Sequence, residues 1–198
     1  MWICLVSLLT ALSLLLSGCV GTAPTINYPY QPTSVRLFFD APDNLNFYDN
    51  QGHALTLGVI QAEQLDPLYP FLKNQDGLVN LLMNSDNKLQ LQRLFIQPNS
   101  QSALVLDRNA KVQYLVLVAG YADLLPAQSY QIIKVPIKST SHGFLWLKTD
   151  YTADTTYIYV QLGPQGLLSV KACNETLDPK EACGVSLLEQ PPSVVAAA

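Results

Sequence analysis

Cys19 is the residue whose surroundings point most directly to chemistry. It follows a long apolar run that ends at Leu16 and the two small residues Ser17 and Gly18. An apolar segment closed by small residues is typical of a signal that a peptidase removes. In this order the residues form a lipobox. The sequence therefore predicts a signal peptide at 1–18, and it predicts a covalent lipid on Cys19, which becomes the new N-terminus.

Two other interpretations of this segment are an ordinary cleaved signal peptide with an incidental cysteine, and a short membrane anchor. The apolar run from Trp2 to Leu16 has fifteen residues, whereas roughly 20 are needed to span a bilayer. No Lys or Arg precedes the run, so only the α-amino group of Met1 supplies positive charge there. The order of apolar run, small pair and cysteine still favours lipidation.

The other cysteines predict a disulfide. Cys4 leaves with the signal peptide and Cys19 takes lipid, so Cys173 and Cys183 remain as a pair in an oxidising compartment. Closing so short a loop contributes about 2 to 3 kcal/mol in the chain-entropy model. No Cys-x-x-Cys spacing or neighbouring histidine supports a metal site. We expect no metal and no cofactor other than the lipid.

Imidazole chemistry would depend on His53 and His142, which each lie beside a glycine in a predicted turn. Neither belongs to a catalytic motif with a known spacing, and the sequence has no nucleophile elbow, zinc-protease helix or phosphate loop. The sequence therefore predicts that the protein is not an enzyme. A net charge of −4 offers no basic surface for nucleic acid.

The chain after Cys19 divides into three predicted parts. An uncharged, proline-containing stretch at 19–34 is typical of a tether that lifts a domain from the membrane surface. One domain follows at 35–190, which is long enough to bury its own core. The last residues, 191–198, are rich in Pro and Ala and are predicted to be disordered.

Within that domain the apolar pattern is mostly that of strands. A helical insertion is predicted around 68–84, with Asp76 as the N-cap of its second helix. The run from Tyr114 to Ala119 has no polar face and predicts a central strand that is covered on both sides. Many short strands with turns indicate an all-β sandwich. The strands are predicted at 35–41, 55–62, 89–97, 102–107, 112–122, 130–137, 144–148, 156–162 and 167–171.

The loop after the first of these strands, 43–52, is dense in turn-forming residues but also contains Phe47 and Tyr48. Aromatic side chains in a polar loop either pack beneath it as local core or stand out as anchors for a partner. The residues alone leave both alternatives open.

The order of landmarks between residues 35 and 124 resembles that of a known family, the TssJ outer-membrane lipoproteins of bacterial type VI secretion systems. These proteins have a Leu-Asn pair and a glycine in the first loop, a Gln-Leu pair after the second strand, a helical insertion with Phe and paired leucines, a Pro-Gly turn, and an apolar strand ending in Ala-x-Tyr. The corresponding residues here are Leu45-Asn46, Gly52, Gln64-Leu65, Phe71, Leu81-Leu82, Pro98-Asn99 and Ala119-Gly120-Tyr121. Asn99 replaces the glycine of the family's Pro-Gly turn.

The resemblance implies a transthyretin-like β-sandwich with a small helical insertion. It implies a scaffold role in the membrane complex of the secretion system, with the protein bound to the periplasmic C-terminal region of an inner-membrane TssM-like protein and through it, indirectly, to TssL. The family's contact loop corresponds to Leu45, Asn46, Phe47, Tyr48 and Asp49. Val20, where an aspartate would retain a lipoprotein in the inner membrane, favours the periplasmic face of the outer membrane.

Two competing hypotheses come from other functional classes. A periplasmic lipoprotein that binds a ligand or glycan would carry a concave, aromatic-lined face on its strands. A hydrolase would bring His53 or His142 together with carboxylates in a pocket.

Overall fold

The computed structural model describes residues 24–83, 90–143 and 148–173. The strands are β1 (Ile26–Asn27), β2 (Gln31–Ala41), β3 (Leu55–Ala62), β4 (Leu91–Ile96), β5 (Ser100–Arg108), β6 (Tyr114–Ala119), β7 (Tyr130–Lys134), β8 (Ile137–His142), β9 (Lys148–Ala153), β10 (Thr156–Leu162) and β11 (Leu167–Cys173). The helices are α1 (Tyr69–Leu72), α2 (Gln75–Met83) and α3 (Pro126–Ser129). The predicted all-β class is therefore confirmed.

Two four-stranded sheets form the body of the protein. The first has the order β11-β10-β2-β5 and the second the order β4-β3-β6-β7. In the first sheet β2 and β10 run parallel, while every pairing in the second sheet is antiparallel. Alternate residues of both sheets point into one shared core, because side chains on a strand alternate between its faces. The arrangement is a β-sandwich.

The central strand β6 is covered on both faces, as its unbroken apolar run predicts. Leu115 and Leu117 lie in the core between the two sheets. Val116 and Val118 point to the other side, where they pack in a second core beneath the helical insertion. The sandwich thus has a third layer of helices over one sheet.

The helical insertion, predicted around 68–84, contains α1 and α2. Leu72, Leu78 and Leu81 bury their side chains against the second sheet. The cap of α2 differs from the prediction, because the side chain of Asn74 accepts a hydrogen bond from the Gly77 N–H at 2.8 Å. Asp76 instead lies in the first helical turn, where its charge suits the helix dipole.

The first described residues differ from the predicted tether. Ile26 and Asn27 pair in parallel with β9, and β2 already begins at Gln31. Ordered structure therefore begins before residue 35, the predicted domain boundary. The uncharged, proline-containing composition of this stretch hid a strand whose pairing partner lies more than a hundred residues away in the sequence.

A third, three-stranded sheet, β1-β9-β8, also departs from the prediction. The predicted strand at 130–137 is two strands, β7 and β8, which belong to different sheets and are separated at Val135 and Pro136. Proline lacks the N–H that a continuous strand would need at that point. β8 and β9 are largely exposed and polar, so they carry little alternating apolar signal.

The strand directions define two ends of the sandwich. The loop end consists of the connections 42–54, 97–99, 120–129 and 163–166. The proximal end, where the described chain enters, carries the start of β2 and the three-stranded sheet. Arg108 is buried at the proximal end and donates to the Asp154 carbonyl at 2.6 Å and to the Gln31 side chain at 2.8 Å. This side chain ties β5, β2 and the β9–β10 connection together.

Several predictions lie outside the described residues: the signal peptide, the lipid on Cys19, residues 144–147 of the strand predicted at 144–148, Cys183, and the tail at 191–198. Cys173 is the last residue of β11, and its pairing with Cys183 stays a prediction. Within the described ranges, the helices are all too short or too polar to cross a bilayer.

Candidate functional site

The loop between β2 and β3 is built on a buried leucine. Leu45 is fully buried in the sandwich core although its neighbours in sequence are polar. Its N–H donates to the Pro42 carbonyl at 3.2 Å, and its own carbonyl accepts from the His53 N–H at 2.8 Å. These bonds close the loop at its base, so the loop has a defined conformation.

Asn46 connects this loop to the segment that follows β6. Its backbone lies in the left-handed region, at φ 46°, which asparagine tolerates better than most residues. The side-chain amide donates to the Ala54 carbonyl at 3.3 Å, and the side-chain oxygen accepts from the Ala122 N–H at 2.8 Å. Asn46 is 6% exposed, so its side chain serves the structure of the loop.

Tyr121 holds the neighbouring β10–β11 turn. Its buried hydroxyl donates to the Gly166 carbonyl at 2.8 Å and accepts from the Gly163 N–H at 3.2 Å. The β10–β11 turn also supports the loop between β2 and β3, because the Phe47 N–H donates to the Pro164 carbonyl at 2.7 Å. Burial raises the pKa of Tyr121 to about 12, so the hydroxyl keeps its proton at neutral pH.

The tip of the loop is a tight two-residue turn. Tyr48 and Gln51 exchange two backbone hydrogen bonds of 3.1 and 3.2 Å, and Asp49 and Asn50 between them both have positive φ. Two left-handed residues at these positions form the kind of turn that Asp and Asn favour. The Tyr48 ring stacks on the His53 ring at 3.6 Å with an interplanar angle of 9°. The tip is therefore folded on itself.

The five residues predicted to contact a partner separate into two groups. Leu45 and Asn46 are buried and build the loop. Phe47 and Tyr48 are 43% and 41% exposed, and Asp49 is exposed beside them. The two rings stand at the surface, so they are not local core packed beneath the loop, and their role as anchors for a partner stays a prediction. They are aromatic side chains of the loop that a partner can reach without unfolding it.

The arrangement of the histidines does not resemble a catalytic centre. His53 stacks on Tyr48 at the loop end, while His142 lies at the end of β8 and faces Asp150 at 3.5 Å. The two imidazoles thus lie on separate parts of the fold. Within the described ranges, no three His, Cys, Asp or Glu side chains are grouped as metal ligands would be.

Comparison with solved structures identifies the fold. The crystal structure of the type VI secretion lipoprotein TssJ1 from Pseudomonas aeruginosa superposes with a TM-score of 0.52 over 73% of this chain and 98% of that one, at 20% identity. The chain has the TssJ fold. The Serratia marcescens protein Lip, a membrane-bound component of the type VI secretion system, gives a TM-score of 0.50 over 74% of this chain and 100% of its own, at 15% identity.

A chain in the structure of a type VI membrane complex also superposes on this protein, with a TM-score of 0.50 over 69% of this chain and 97% of that chain, at 10% identity. Neither the family models nor the curated protein sequences give a match to this chain. The resemblance to TssJ proteins that the order of landmarks indicates is thus confirmed at the level of the fold. The sequence identity to these structures, 10 to 20%, is too low to show it.

Sequence reasoning missed two exposed leucines at the loop end of this TssJ fold. Leu125 precedes α3, and Leu168 follows the turn that Tyr121 holds. Both belong to apolar stretches of the sequence, Leu124-Leu125 and Leu167-Leu168, in which one leucine of each pair is exposed. A doubled leucine next to a turn was the available signal, but only the structure shows which member faces solvent.

Proposed function

We propose that this protein is an outer-membrane-anchored scaffold lipoprotein of a type VI secretion membrane complex. In this proposal the lipid on Cys19 holds the protein at the periplasmic face of the outer membrane. The loop between β2 and β3 binds the periplasmic C-terminal region of an inner-membrane TssM-like protein, which in turn contacts TssL. The role is structural: it requires no catalytic residue, metal or cofactor besides the lipid.

The observation that carries this proposal is the position of the loop relative to the start of the chain. The described chain enters at the proximal end, and Phe47 and Tyr48 lie at the opposite end. A protein that is anchored through its N-terminus therefore directs these aromatic residues away from the membrane. This is the geometry that a link to a partner reaching across the periplasm requires.

The loop itself has the properties of a protein-binding element. Its base is fixed by Leu45 and Asn46, so little conformational entropy is lost on binding. Its tip presents a Phe and a Tyr, and aromatic residues are enriched among those that dominate binding energy. Several acyl chains make membrane attachment effectively permanent, which confines the loop to one surface and raises its effective concentration for the partner.

Affinity purification from detergent-solubilised membranes tests this function. The full-length chain is compared with Phe47→Ala/Tyr48→Ala and with Cys19→Ser. Tyr30→Ala serves as the matched control, since Tyr30 is an exposed aromatic residue at the proximal end. The TssM-like protein of the same genome is identified and quantified by mass spectrometry.

We expect wild type and Tyr30→Ala to recover the TssM-like protein, and the loop variant to lose at least about nine-tenths of it, as removal of two anchor residues implies. Cys19→Ser should abolish sedimentation with outer membranes. Equal recovery with the loop variant, or none with wild type, would overturn the proposal.

A further inference from the structure

The loop end carries a wider exposed apolar surface than the loop alone. Phe47 and Tyr48 lie on the loop, Leu125 precedes α3, and Leu168 follows the β10–β11 turn. Leu125 and Leu168 are 54% and 61% exposed. Single exposed apolar residues are common, but groups of them on neighbouring segments mark interaction sites.

These segments are joined by specific contacts. The Phe47 N–H binds the Pro164 carbonyl, which places the loop on the β10–β11 turn. Leu168 packs over Gly163 in the same turn, so close that a side chain at that glycine would collide with it. Gly166 lies against Gln128 of α3, and the Gln128 N–H binds the Leu125 carbonyl at 3.0 Å.

A β-bulge accounts for the exposure of Leu168. Gln161 pairs with Ser169, but Leu162 pairs with Leu167, so Leu168 is the additional residue on β11. A bulge on an edge strand redirects a side chain that regular pairing would place elsewhere. Val170 and Ala172 on the same strand face the core, whereas Leu168 faces solvent at the loop end.

In the described residues, the loop end carries acidic side chains without Lys or Arg. The described loop-end segments contain Asp43, Asp49 and Asp123, all exposed, and none of them contains a Lys or Arg. At the proximal end, Lys111, Lys138 and Lys148 are exposed. An apolar surface with a negative border is complementary to an apolar surface with a positive border. It is poorly suited to pairing with a second copy of itself, because the carboxylates would face one another.

We propose that Leu125 and Leu168 complete the partner-binding surface begun by Phe47 and Tyr48, and that the occupant is a protein surface with an apolar recess bordered by Lys or Arg. This proposal rests on the proposed function and adds specificity to it. The two leucines supply contact area outside the loop. The carboxylates direct the approach of the partner and exclude acidic surfaces.

The test measures binding kinetics with the full-length lipoprotein immobilised in detergent. The probe is the purified periplasmic C-terminal domain of the TssM-like protein. Leu125→Ala and Leu168→Ala are compared with Val105→Ala, a residue that is 51% exposed on β5 and outside the loop end. Asp123→Asn is compared with Asp150→Asn, which removes the same charge from β9.

We expect each leucine variant to weaken the Kd about fivefold and the double variant at least about tenfold, the latter corresponding to about 1.4 kcal/mol. Val105→Ala should leave the Kd within about twofold of wild type. Asp123→Asn should slow association and reduce its salt dependence, because peripheral charges act chiefly on the association rate. Asp150→Asn should do neither.

The outcomes distinguish this wider binding surface from the proposed loop-based function. If wild type binds and Phe47→Ala/Tyr48→Ala does not, while both leucine variants bind normally, the wider surface is wrong and the loop-based function stands. If wild type does not bind, both proposals fall. Analytical ultracentrifugation tests whether the lipoprotein forms a dimer. If it does, and Leu168→Ala dissociates that dimer, then a second copy of the chain occupies this surface and the proposal of a basic partner is overturned. Unchanged thermal unfolding of the exposed leucine variants verifies that they are folded.

Discussion

Replacing Tyr121 by Phe tests how the loop end is held together. The variant keeps the buried ring and removes only the hydroxyl, which pairs with the Gly163 N–H and the Gly166 carbonyl. A buried polar group left unpaired costs about 1 to 3 kcal/mol. With two such groups affected, we expect the free energy of unfolding at pH 7 to fall by about 2 to 4 kcal/mol, or several degrees in Tm.

The same hydroxyl predicts a pH dependence. Burial raises the pKa of Tyr121 from 10.0 to about 12, which corresponds to about 2.7 kcal/mol. The folded protein holds this proton more tightly than the unfolded chain does. The contribution is therefore complete below pH 10 and is lost as the pH rises towards 12. At pH 11 about half of it, roughly 1.4 kcal/mol, should be gone from wild type but not from Tyr121→Phe.

Urea unfolding of both proteins at pH 7 and pH 11 measures this difference. Other tyrosines titrate in both proteins, so the comparison cancels their contributions. Tyr157→Phe, on the outer side of β10 beside Arg36, is the matched control and should change stability at pH 7 by less than about 0.5 kcal/mol. A stability gap between wild type and Tyr121→Phe that is below 1 kcal/mol at pH 7, or that does not narrow at pH 11, would refute the reasoning.

Three further predictions concern other parts of the fold. Asn46→Ala removes two hydrogen bonds and places alanine in a left-handed conformation, so the free energy of unfolding measured in urea should fall by about 2 to 4 kcal/mol. Asn44→Ala, at an exposed position of the same loop, should change it very little. A similar loss for both variants would contradict the structural role of Asn46. Arg108→Met leaves buried acceptors unpaired and should lower the free energy of unfolding by about 2 to 4 kcal/mol in the same assay. A gain in stability would contradict the role of Arg108 in joining these strands. If Cys173 and Cys183 pair, alkylation of the non-reduced folded protein should label neither in mass spectrometry, and labelling of both would exclude the disulfide.

Local patterns predicted the parts of this fold that depend on local composition. The run from Tyr114 to Ala119 has no polar face, and the structure covers β6 on both sides. The helical insertion was predictable because its apolar residues recur with helical spacing. The break at Pro136 had a signal in the sequence, since proline interrupts strand pairing, but the long apolar pattern around it favoured one continuous strand.

Contacts between distant segments account for what the sequence could not predict. Leu45 lies among polar residues, and its burial follows from the closing of the sandwich over it. Asn46 is fixed by Ala122, which lies 76 residues away. The sequence placed Leu45 and Asn46 together with Phe47 and Tyr48 in one contact loop. Only the three-dimensional arrangement separates the residues that build the loop from those that are exposed on it.

Cross-linking in living cells tests the central claim most directly. Benzoylphenylalanine is incorporated in place of Tyr48, at the loop end, or in place of Tyr30, at the proximal end, and the cells are irradiated. We expect a covalent adduct with the TssM-like protein from position 48 and none from position 30, because in the proposed function the loop faces the partner and the start of the chain lies towards the membrane. An adduct from position 30 alone, or none from position 48 while both proteins are present, would contradict the account.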